Sequence, residues 1–170
     1  MSYDFILLHR EPGQSWDEVL EANERLVMEG ADRPFSSFAR ARAERIADRL
    51  QAHDPQLERF TTEHHIELTR LDGAGVQVSL FEGELAVTVA YWHTGRAART
   101  VMELVWSYLA ILEQETGWEI YDQQLGRSLD RARDLGPVSG GQGDMSAWLS
   151  AKFSTDHAEP GSRMNVPDEP

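Results

Sequence analysis

The stretch His65–Trp92, HIELTRLDGAGVQVSLFEGELAVTVAYW, decides the architecture. Apolar and polar residues alternate through it with a period of two, and the alternation breaks twice, at Asp72-Gly73-Ala74-Gly75 and at Glu82-Gly83. Successive side chains of a strand point to opposite faces, so three such runs separated by glycine turns read as a three-stranded meander. Val76, Val78 and Leu80 share one face of the middle strand, and Leu85, Val87, Val89 and Tyr91 share one face of the next. Both sets are expected beneath helices. The opposite face carries Gln77, Ser79, Ala86, Thr88 and Ala90, which are small or polar.

Working outward, Tyr3–His9 (YDFILLH) is apolar at four consecutive positions, Phe5 to Leu8, which fits a central strand covered on both faces. Ser15 and Glu18 have capping-box spacing ahead of Trp16, Val19, Leu20, Leu26 and Val27, a helical stripe that Gly30 ends. A second amphipathic helix carries Phe35, Ala39, Ala43, Ile46 and Leu50 on one stripe and ends at His53-Asp54-Pro55-Gln56. Thr94 is placed to cap a third helix, with Ala97, Val101, Val105, Tyr108, Leu109 and Leu112 on its apolar face, and Gly117 ends it. Trp118–Asp122 (WEIYD) reads as the last strand. Alternating chain direction then gives an α+β fold with an antiparallel five-stranded sheet in the order 5-1-4-3-2. This is a ferredoxin-like split βαβ arrangement with an extra strand and helix, the helices mainly on one face.

Residues 1–135 are expected to form that single domain. From 136 to 170 the composition turns to Gly, Pro, Ser and charge, which reads as a flexible C-terminal segment. Within it Met145, Trp148, Leu149 and Phe153 share one face of a short amphipathic helix at about 144–153. That helix has two uses, covering the open face of its own sheet or docking into another protein.

Hydrophobic residues at 41% and charged residues at 26% of 170 are globular values. The absence of cysteine excludes disulfide frameworks, thiolate metal sites and cysteine nucleophiles. The opening residues have too short an apolar run for a secretory leader, so a cytoplasmic protein is expected. A net charge of −13 repels phosphate backbones and anionic lipid over roughly a Debye length, about 8 Å in physiological salt. Neither nucleic acid nor a membrane is an expected partner; another protein is, and an acidic surface suits a basic one, although the simplest use of such charge is solubility.

Candidate chemistry gathers where the meander enters the third helix. The topology brings Tyr3, Asp4, Trp92, His93, Thr94, Arg96, Tyr121, Asp122 and Gln123 to one edge of the sheet. His93 beside a carboxylate could hold a tuned proton, and Thr94 and Arg96 at a helix start could receive a small anion. The same residues also suit capping and core closure, with no catalytic role. Glu63, His64 and His65 suggest a metal, but adjacent strand residues face opposite ways, and no cofactor or metal is expected. Gly140, Gly141 and Gly143 lack the lysine of a phosphate loop.

Gly117–Arg127, GWEIYDQQLGR, together with the opening Ser2–Phe5, resembles bacterial α+β proteins in which a helix leads into a strand ending YDPQ. Some of these look like immunity proteins of toxin systems. This chain has Gln123 where that pattern has proline. The resemblance implies a small binding protein and brings no catalytic residue with it. Three readings follow: a non-enzymatic protein-binding module, a small-ligand binder or minor enzyme using the Trp92 to Asp122 cluster, and a homo-oligomer built through an uncovered sheet face.

Overall fold

In the computed structural model, residues 2–30, 34–90, 93 and 95–129 are described. In chain order they form β1 (Ser2–Leu8), α1 (Trp16–Gly30), α2 (Ser37–His53), β2 (Leu57–Thr61), β3 (Ile66–Arg70), β4 (Val76–Leu80), β5 (Leu85–Ala90), α3 (Gly95–Thr116), β6 (Glu119–Asp122) and β7 (Arg127–Ser128). One antiparallel sheet joins the strands in the order β2-β3-β4-β5-β1-β6-β7. The five strands read from the sequence keep their expected relative order, but the sheet has seven. The two additions are edges. β2 is largely exposed with mixed polarity, and β7 is two residues long, so neither produces a periodic apolar signal.

β1 lies between β5 and β6, and Phe5, Ile6, Leu7 and Leu8 are all buried, as their composition requires. On one face Tyr3, Phe5 and Leu7 join Val76, Val78, Leu80, Leu85, Val87 and Val89 in the main core beneath α2 and α3. On the other, Ile6 and Leu8 meet Val19, with Trp16, Leu20, Ala86 and Tyr121 packed around them. Each fully buried side chain of this size contributes about 1.5–3 kcal/mol, so both layers are needed to hold β1 in place.

α1 therefore covers the second face, where the pattern had the helices mainly on the first. Its capping box forms: the Ser15 N–H donates to the Glu18 carboxylate at 2.8 Å and the Glu18 N–H to Ser15 Oγ at 3.3 Å. The helix then crosses the strands near one end of the sheet. Trp16 Nε1 donates to Ser128 Oγ at 2.7 Å, Val19 packs on β1, and Asn23 donates to Glu84 in the turn between β4 and β5. The stripe does not stay buried to its end. Leu26, Val27 and Met28 are 59%, 54% and 79% exposed, because the helix has passed the apolar part of β1 and β5 by then.

The chain returns to the first face around that end of the sheet. The Phe35 N–H donates to the Glu63 carbonyl and the Ser36 N–H to the Glu82 carboxylate. Ser36 caps α2 through the Ala39 N–H at 3.2 Å, so Phe35 precedes the helix instead of lying on its stripe. Along α3 the buried positions are Ala98, Val101, Met102, Val105, Trp106, Tyr108, Leu109, Ile111 and Leu112, while Ala97 is exposed. Glu115 ties α3 to α2, accepting from Arg45 at 2.9 Å and Arg49 at 2.5 Å, and these arginines hold its carboxyl below the usual range. The expected cap at Thr94, Tyr91 of the fifth strand, the domain limit at 135 and the helix at about 144–153 lie outside the described residues.

Gly117 stops α3 at φ +67, with its N–H on the Glu113 carbonyl at 2.7 Å. A side chain there meets open space, so Gly117→Ala should act through the backbone alone and lower stability by about 1 kcal/mol. Urea denaturation is expected to show a lower midpoint at an unchanged slope.

Candidate functional site

The sheet divides the expected cluster. Tyr121 and Asp122 are successive strand residues and face opposite ways. Asp122 is fully buried on the helix side, where its Oδ2 accepts from Tyr3 Oη at 2.5 Å. Tyr121 lies on the other face with its ring 4.7 Å from that of Trp16. Asp4 is also on that face and accepts from Ser2 Oγ at 3.1 Å. Arg96 and Gln123 are exposed, and Trp92 and Thr94 lie outside the described residues.

What remains together is Tyr3, Asp122 and, across a small void, His93. The carboxylate of Asp122 is engaged on both oxygens: Oδ1 accepts the N–H groups of Gln124 at 3.0 Å and Leu125 at 2.9 Å. Its carbonyl accepts the Gly126 N–H, so Asp122 fastens the turn into β7 from the end of the core. His93 Nε2 lies 2.6 Å from the Ala74 carbonyl. The void between Tyr3, His93, Ala98, Val101 and Met102 is about 20 Å³ and apolar, room for about one water and far below the several hundred Å³ of a metabolite pocket. These contacts make the Tyr3–Asp122 pair a structural pin.

A second polar cluster escaped the sequence reading. Asp54 caps the C-terminus of α2, and its carboxylate accepts from Tyr108 Oη, from Arg70 Nη1 at 2.8 Å and from the Gln56 N–H at 3.0 Å. Arg70 also donates to Gln56 Oε1 at 2.8 Å and to Asp72. Burial pushes the Asp54 carboxyl up, but the bonds from Tyr108, Gln56 and Arg70 outweigh it and hold the carboxyl below the usual range. Burial, with the bond to Asp54, pushes the Tyr108 phenol up. Tyr108 reads from the sequence as one more apolar stripe position and Asp54 as part of a turn; their meeting over 54 residues leaves no local signal.

The histidines named as metal candidates are dispersed. His53 bonds Ser107 Oγ, His64 lies beside Glu63, and His65 meets Thr62 Oγ1 between the rings of Phe60 and Phe81. Among the described residues no group of three or more His, Asp or Glu could hold a metal ion. No described helix is long and apolar enough to cross a membrane.

Among the described residues the second face of the sheet is left partly uncovered beside α1. Register places Phe60, Glu67, Ser79, Ala86, Ile6, Tyr121 and Ser128 in one row across all seven strands, and α1 covers the part from Ala86 to Ser128. The next row, Glu58, Thr69, Gln77, Thr88 and Asp4, has no helix of the described residues over it, nor does the pair Ser2 and Ala90 beyond. A trough of about 340 Å³ opens here, lined by Ser2, Thr69, Gln77, Thr88 and Ala90. Sequence reasoning identified this face as small and polar and as an open surface for the C-terminal helix, a partner protein or a second copy, without naming residues on it as a site.

Comparison with protein-family models, with curated proteins and with solved structures found no match.

Two variants check the pins. Tyr3→Phe removes the phenol donor from Asp122 Oδ2 in the core while Oδ1 keeps its two backbone bonds, and should cost about 1–3 kcal/mol by chemical denaturation. The Asp54 carboxylate is depressed in the folded state, so its stabilisation is complete above the unfolded carboxylate pKa of about 3.9 and is lost as pH falls through the lower folded value. Asp54→Asn should therefore be clearly less stable than the parent at neutral pH, with the gap closing below about pH 4 in denaturation series at several pH values.

Proposed function

We propose that this chain is a non-enzymatic protein-binding module that engages its partner through the uncovered part of the second sheet face. The observation that carries this reading is the half-covered sheet. Among the described residues α1 lies over β1, β6 and part of β5, while the polar rows on β2, β3, β4 and the far end of β1 have no helix above them. The trough of about 340 Å³ is of metabolite size, but it lies open along a sheet face and encloses nothing, and a broad open surface of this kind suits another macromolecule better than a metabolite.

The distribution of reactive groups supports the same reading. Tyr3 and Asp122 hold each other and a turn, and His93 holds the Ala74 carbonyl. The void beside them is too small for a substrate. The resemblance of Gly117–Arg127 to immunity proteins agrees with a binder acting in the cytoplasm. The inner strand order β6-β1-β5-β4 supports a ferredoxin-like split βαβ core to which β2, β3 and β7 add edges.

A photo-cross-linking residue at Thr88 in the full chain, expressed in the native cell, should yield a discrete adduct with one protein, and the same residue at Glu103 on exposed α3 should not. The co-purified complex should melt at a higher temperature than the free chain. Equal labelling from both positions, or none from Thr88, rejects the reading.

A further inference from the structure

We infer that the uncovered strip takes a lysine- or arginine-rich helix of the partner protein, lying alongside α1. This rests on the protein-binding reading above and adds the chemistry and shape of what binds.

Shape comes from the space that α1 leaves. α1 runs across the strands, from Ser128 on β7 to the turn at Glu84, so the open strip beside it also runs across them. Its three rows, headed by Phe60, by Glu58 and by the Ser2–Ala90 pair, span about 14 Å at about 3.4 Å per residue. A helix with side chains is about 10 Å across, and helices pack side by side at about that spacing. One helix fills the strip and completes a helical layer on the second face. Phe60, 61% exposed at the outer end of the first row, offers it an apolar contact.

Charge comes from what the rows carry. The strand residues facing the strip include Asp4, Glu58 and Glu67 and no lysine or arginine; the arginines of these strands, Arg59 and Arg70, face the helical side, where they pair with Asp48 and Asp54. The neutral donors on the strip already point at its acids. Thr69 Oγ1 and Gln77 Nε2 donate to the two oxygens of Glu67, at 3.1 and 3.0 Å, and Ser2 Oγ donates to Asp4. A carboxylate has about four acceptor positions, so what the strip presents outward is mainly acceptor capacity and negative charge. Asp4 and Glu67 lie three strand spacings apart, about 14 Å, which matches cations spread along a helix better than a single ion. The remaining hydroxyls, on Thr88 and Ser79, bring no positive charge to meet an anionic ligand.

Two measurements test this on the full chain. First, the segment cross-linked from Thr88 is identified by peptide mass spectrometry. A lysine- or arginine-rich segment of another protein is expected. A neutral or acidic segment of another protein overturns the inference and leaves the binding reading intact. A segment of this chain, such as Met145–Phe153, or of a second copy overturns both. Second, an amphipathic helical peptide of lysine, leucine and alanine is titrated against the protein, beside its glutamate-for-lysine counterpart. The triple variant Asp4→Asn, Glu58→Gln, Glu67→Gln should weaken the lysine peptide about tenfold, while Asp48→Asn, Glu103→Gln, Glu113→Gln, which removes the same charge on α2 and α3 across the sheet, should change it by less than about threefold. Equal losses in the two variants assign the binding to overall charge and overturn the inference, as does equal affinity for the glutamate peptide. Should the first triple variant fail to fold, the cross-linked segment alone decides.

Discussion

β1 has apolar side chains on both of its faces, and such a strand is stable only where both faces are covered. That requirement places it between β5 and β6, demands α2 and α3 on one side, and draws α1 across the other. Phe5 and Leu7 belong to the main core, Ile6 and Leu8 to the smaller one, and the two are separated only by the thickness of the strand. The second layer extends only as far as the apolar stretch does. β4 and β3 present Ser79, Gln77, Glu67 and Thr69 on the same side, so nothing there draws a helix down, and the last turns of α1 stand exposed. The uncovered strip is thus a direct result of where the double-sided hydrophobicity stops.

Polar groups inside the molecule are tied into its closures. Asp122 with Tyr3 fastens the turn into β7 to the central strand, and Asp54 with Tyr108 and Arg70 fastens the end of α2 to β3 and α3. In each case a carboxylate withdrawn from water is met by several donors, the condition under which burying it is tolerable.

The pattern of His65–Trp92, the double-sided first strand and the three helical stripes determined the α+β class, the order of the five inner strands and which face of the meander enters the core. These depend on local periodicity, which a chain carries in its own spacing. Only tertiary structure decided the rest. β2 and β7 pair because an adjacent strand edge is available, and their residues carry no signal of it. Tyr121 and Asp122 were legible as neighbours of the meander's end, yet the pleat sends them to opposite faces and breaks up the expected site. Asp54, Tyr108 and Arg70 converge from three elements, and the open strip exists because α1 is too far toward one end to cover it. Proximity across the sheet and coverage by a distant helix are properties of packing, and packing joins residues whose separation along the chain holds no record of their contact.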